Sequence, residues 1–130
     1  RILALLPNAF MQGEVAGTNM AGAETLYLNA IPMNAIGFYG LHIITAGSYD
    51  GDEDITEDAD KEIYKKLVFK DGLLKGFILM GDVARAGIYT SMIKEQIPLT
   101  EVGLDLLREK PQMMMFGKAR REEKLAGKKH

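Results

Sequence analysis

Few side chains in this sequence have the chemistry of a catalyst. The histidines are His42, inside an apolar run, and His130, the last residue. Two such histidines cannot make the usual zinc site. A nucleophilic triad would have to join His42 to Ser48 or Ser91, and neither serine lies in a nucleophile-elbow pattern. Asp50, Asp52 and Asp54 match the first three ligand positions of an EF-hand calcium loop. Ile55 then stands where that loop needs Gly, and Lys61 where it needs a bidentate Glu. An acidic surface loop is the expectation, with weak divalent binding left open. Cysteine is absent, which excludes thiolate zinc sites, cysteine nucleophiles and thiol redox chemistry in this chain. Neither G-x-G-x-x-G nor G-x-x-x-x-G-K-[ST] occurs, so there is no sequence signature for holding a pyrophosphate. Residue types alone assign no catalytic and no metal-ligating position.

The elements that must position any site are easier to read. The chain has 130 residues, 47% hydrophobic and 26% charged, and a net charge of −2. One domain with a real core is expected. No global basic field exists to attract nucleic acid. No apolar run reaches the roughly 18 residues of a membrane helix. Arg1-Ile2-Leu3 has neither Met nor signal-peptide architecture and reads as a cut end of something longer. A cytoplasmic location is the expectation.

A helix is expected from Pro7 to Gly22, with Pro at the first helical position and Gly just past the end. Ala9, Gly13, Ala16, Gly17 and Met20 form one small-residue face. Its two glycines each cost about 1 kcal/mol relative to Ala, which suits close approach to a sheet, a backbone or a ligand. Gly37 to Ser48 reads as one strand buried on both faces or nearly so. Asp50 to Glu62 reads as a solvated acidic loop. Tyr64–Lys70 and Leu73–Met80 read as a hairpin turning on Asp71-Gly72, where both positions need positive φ. Asp82 is expected to cap a helix that carries Ala84, Ile88, Met92 and Ile93 and stops at Pro98. A short helix over 100–109 ends at Pro111. Met113, Met114 and Met115 form an apolar patch, and 118–130 is a charged tail.

Two segments together resemble the FAD-dependent NAD(P)H oxidoreductases of the pyridine nucleotide-disulfide type. The nearest in pattern are the NADH–rubredoxin reductases and the amino-terminal halves of nitrite reductases. Leu5-Leu-Pro-Asn-Ala-Phe-Met-Gln-Gly-Glu-Val-Ala-Gly-Thr-Asn-Met-Ala-Gly22 is similar to the helix after their second FAD motif. Tyr64 through Asp82, then Arg85 to Ile93, is similar to their small carboxy-terminal domain. Phe77 to Ala84 by itself also looks like the second FAD motif, strand, Gly-Asp, helix. A plain cap at Asp82 is favoured there, because the strand belongs to the Asp-Gly hairpin.

The resemblance implies an α+β fold, a small antiparallel sheet with packed helices. It implies residues 1–22 completing an FAD-binding domain, 23–117 forming the carboxy-terminal domain, and a charged tail. Leu6, Pro7 and Asn8 would meet the flavin edge, with Leu6 standing where the family commonly has Trp. FAD and NAD(P)H would belong to the parent protein, with none expected on this piece alone, which would be inactive. The implied partners are the upstream FAD- and NAD-binding domains, a second copy and a redox-protein acceptor, but neither nucleic acid nor membrane. The other reading is a freestanding small-ligand or interaction module, because Val68 to Ala84 also resembles the final hairpin and helix of a CBS motif.

Overall fold

Two short turns organise the molecule. Asp71 and Gly72 take φ of 54° and 71°, and Tyr39 and Gly40 take 48° and 86°. Positive φ at both central residues matches the twist of the flanking strands and forces a tight antiparallel return. The computed structural model describes residues 5–28, 30–109 and 111. Met113–Met115 and the 118–130 tail lie outside them.

The elements run α1 (Leu6–Met20), β1 (Met33–Phe38), β2 (Leu41–Gly47), β3 (Asp52–Asp58), a 3-10 turn (Ala59–Lys61), β4 (Ile63–Lys70) and β5 (Leu73–Met80). Three helices follow: α2 (Ala86–Glu95), α3 (Leu99–Val102) and α4 (Leu104–Arg108). All strand pairs are antiparallel, in the order β1-β2-β5-β4-β3. The fold is α+β, as expected.

Alternation along the strands sends Ala46, Phe77, Leu79 and Leu67 to one face. There they meet Tyr89 and Met92 of α2, and all six are buried. Phe77 and Tyr89 rings lie 5.4 Å apart. Where β2 and β5 cross at Gly47 and Gly76, a Cβ on either residue would sit about 2 Å from the other strand's backbone carbonyls. Only glycine fits that approach.

Four expectations are corrected. Gly37 to Ser48 is two strands, because Tyr39-Gly40 turns the chain, and β1 is almost wholly exposed. The acidic stretch is a strand, β3, in register with β4. Its carboxylates pair with cations of β4 and α4: Asp50–Lys70, Glu53–Lys66 and Asp54–Arg108. Asp82 does not cap α2. Its Oδ1 accepts the Ala84 N–H two residues on, and the helix starts at Ala86 after a left-handed Arg85. The short helix over 100–109 is two, broken at Gly103 with φ of 79°. The hairpin of β4 and β5 and the helix through Ile88 and Met92 stand as read.

Candidate functional site

The resemblance pointed to the amino-terminal turn of α1. Leu5 is the N-cap and offers no side-chain hydrogen bond, Pro7 lies in the first turn, and no acidic residue is there. The first N–H groups of a helix have no partner within it, and no side chain of the described residues caps them, so this end carries a positive dipole. Leu6 is exposed, whereas Asn8 is fully buried.

The Asn8 side chain is fully engaged inside the molecule. Its Nδ2 donates to the Ile31 carbonyl at 2.9 Å, and its Oδ1 accepts from the Tyr27 hydroxyl at 2.7 Å. It ties α1 to the segment that enters β1. Asn8 as a whole has no exposed surface. Sequence reading missed this role because the partners lie 23 and 19 residues away.

Leu6 and Pro7 line two adjoining apolar hollows. One, of about 300 Å³, is closed by Met33, Ala35 and Ile44. The other, of about 410 Å³, is closed by Phe10, Ile31 and Met33. Of these neighbours, Met33 and Ala35 are the ones that residue pattern could mark. Their signal was the uncharged run Met33-Asn-Ala-Ile-Gly-Phe38 just before Tyr39-Gly40. Along α1, Gly13 and Gly17 face open space, since nothing lies within 4 Å of a Cβ built on either. Of the alternatives for that face, packing against this domain's own sheet is not formed among the described residues.

Gly81-Asp82 has an internal explanation. Gly81, with φ of 78°, passes so close to the Glu62 carbonyl that a Cβ would clash, and its N–H donates to the His42 carbonyl at 3.0 Å. The exposed His42 and Ser48 bracket β2, about 20 Å apart along an extended strand, too far for a triad. Among the described residues no group of three or more His, Asp or Glu could hold a metal.

A polar cluster lies at the far end of α2. Tyr89 Oη donates to the Leu107 carbonyl at 2.7 Å, Lys65 Nζ to those of Arg108 and Glu109, and Arg85 to that of Pro111. Burial lowers the Lys65 pKa, with nearby Asp82 opposing. Burial and then Asp82 raise that of Tyr89. These side chains hold the end of α4 in place.

A five-stranded antiparallel sheet, helix-covered on one face and preceded by a helix, defines an α+β domain. Residues 32–97, from just before β1 to just past α2, match the family described as the rubredoxin NAD+ reductase C-terminal domain. The match covers half of the chain, and the chain belongs to that family. The Val68–Ala84 run lies inside the matched segment. The chain is also 36% identical over 104 residues to the NADH-dependent phenylglyoxylate dehydrogenase subunit epsilon of Aromatoleum evansii. That similarity covers 75% of this chain and 25% of the relative, so the chain spans about a quarter of that protein's length.

Proposed function

We propose that this chain is the carboxy-terminal part of an FAD-dependent NAD(P)H oxidoreductase that passes electrons through flavin to an acceptor. The observation that carries the reading is the family match across β1 to α2. The NADH-dependent subunit it resembles supports a pyridine nucleotide as the parent's reductant. Residues 1–22 complete the FAD-binding domain, 23–117 form the carboxy-terminal domain and 118–130 a charged tail. The partners are the upstream FAD- and NAD-binding domains, a second copy and a redox-protein acceptor, in the cytoplasm. The piece alone is inactive.

The residues present fit one edge of a flavin. The chemistry bound FAD supplies is hydride acceptance from NAD(P)H and electron release to the acceptor. The first turn of α1 has no side-chain cap and no carboxylate. Its positive end favours an electron-rich ring edge, most of all a reduced anionic one. Leu6 and Pro7 shield that edge from water, and Asn8 fixes the angle of the helix through Ile31 and Tyr27.

The test is to recover the native protein with an antibody against this chain. A species well above 14.4 kDa, with a flavin spectrum bleached by NADH or NADPH, is expected. A 14.4 kDa species that binds adenine nucleotide and holds no flavin overturns the reading. In the holoenzyme, Leu6→Asp puts a negative charge at the helix end and lowers the flavin midpoint potential.

A further inference from the structure

Strand β1 lies at an edge of the sheet and reads Met-Asn-Ala-Ile-Gly-Phe, with no charge and no proline. The Pro32 carbonyl accepts from the Gly47 N–H at 2.8 Å. Strand alternation then turns the main-chain groups of Asn34, Ile36 and Phe38 toward β2. Those of Met33, Ala35 and Gly37 point outward, with no partner for their N–H and C=O among the described residues. Such an edge is a ready template for another strand.

The surroundings of this edge are apolar as well. Phe10 of α1 is 76% exposed on one face of the sheet, and Ile36 and Phe38 are 50% and 64% exposed on the other. The hollow of about 300 Å³ opens beside Met33 and Ala35, where side chains of an added strand would enter. Exposed apolar side chains along an unpaired sheet edge mark an association site.

We propose that β1 pairs antiparallel with β1 of a second copy, about a twofold axis at Ala35, making one continuous sheet from two. This rests on the homodimer reading above and names its surface. The strand is complementary to itself. Ala35 meets Ala35 of the second copy, two small residues at the axis, and Met33 meets Gly37, bulk against space. The outward N–H and C=O groups of Met33, Ala35 and Gly37 are then all used. The opposite edge, β3, is excluded as the mate because Asp52, Glu53, Asp54, Glu57 and Asp58 would face an uncharged strand. A β1–β3 contact would also leave free edges and propagate, whereas a twofold contact closes.

The test is sedimentation equilibrium of the 130-residue chain over a wide concentration range. A mass of twice 14.4 kDa that falls on dilution is expected. Ala35→Pro removes an outward N–H while leaving the β1–β2 ladder whole. It weakens dimerisation roughly tenfold or more, the effect of about one net hydrogen bond plus the ring's steric block. Ala35→Lys keeps the N–H and sets two like charges at the axis. It also dissociates the dimer, and it decides the case if the proline variant is unfolded by circular dichroism. A chain monomeric at every concentration overturns this surface. A dimer that folded Ala35→Pro or Ala35→Lys leaves as tight as before keeps the dimer reading and overturns this surface.

Discussion

At one edge of the sheet β3 carries five carboxylates in seven residues, and at the other β1 carries no charge at all. Both are antiparallel edge strands of similar length on one sheet, so backbone hydrogen bonding does not distinguish them. Side chains do. On β3, Glu53 pairs with Lys66 of the neighbouring strand and Asp54 with Arg108 of α4, while charge keeps a further strand away. On β1 the neighbours are the apolar Leu6, Pro7 and Phe10 of α1. Folding needs only the inner strands to be apolar. The chemistry of an edge is left free to decide whether the sheet ends there or continues.

The largest effect should be blind to that difference. Phe77 is buried in the central strand β5. Phe77→Ala costs about 3–5 kcal/mol and lowers the melting temperature. Hydrogen exchange should then rise in β1 and β3 alike. Loss confined to one edge would break the comparison by showing two independent halves.

Asn8→Ala acts on one side only. It leaves the Ile31 carbonyl and Tyr27 hydroxyl without their partner, costing about 1–3 kcal/mol. Amide exchange in α1 should rise markedly while that in β3 is unchanged.

Acid should act on the opposite side. Hydrogen bonds and charge from Lys70 hold the Asp50 carboxyl below its ordinary 3.8, and a hydrogen bond from Lys61 does the same for Asp58. A depressed folded pKa means the contribution is present above 3.8 and lost as pH falls through the folded values. The melting temperature should drop below about pH 4, and Lys61→Gln with Lys70→Gln should flatten that part of the profile. Protonation also removes the charges that guard β3, so acid should bring concentration-dependent light scattering. β1 has no titrating side chain.

The smallest effect is at α4. Arg108→Ala breaks the partly exposed pair with Asp54 and lowers the melting temperature only slightly, less in high salt. A larger loss would mean that β3 is held more by α4 than by β4.

The same turn was legible at one end of the sheet and hidden at the other. Asp71-Gly72 announces positive φ at both positions, whereas Tyr39-Gly40 makes that turn with a residue seldom placed there. Two strands were therefore read as one. β3 was hidden by its carboxylates, whose partners lie on other elements, Lys66 on β4 and Arg108 on α4. At the site, Pro7 marked the first turn of α1 to within a residue. The flavin-edge assignment of Leu6, Pro7 and Asn8 came from resemblance. The internal clamp of Asn8 depends on contacts across about twenty residues, and no local pattern encodes them.

The chain has no native cysteine, so single cysteines can report the two edges without background. In the paired sheet the two Ala35 Cα atoms sit about 5.5 Å apart, within disulfide range. The measurement is non-reducing electrophoresis of Ala35→Cys and Ile55→Cys chains under mild oxidation. A cross-linked dimer from Ala35→Cys and a monomer from Ile55→Cys are predicted. Equal cross-linking of both, or none at Ala35→Cys, would contradict the division of the sheet into a joining edge and a guarded one.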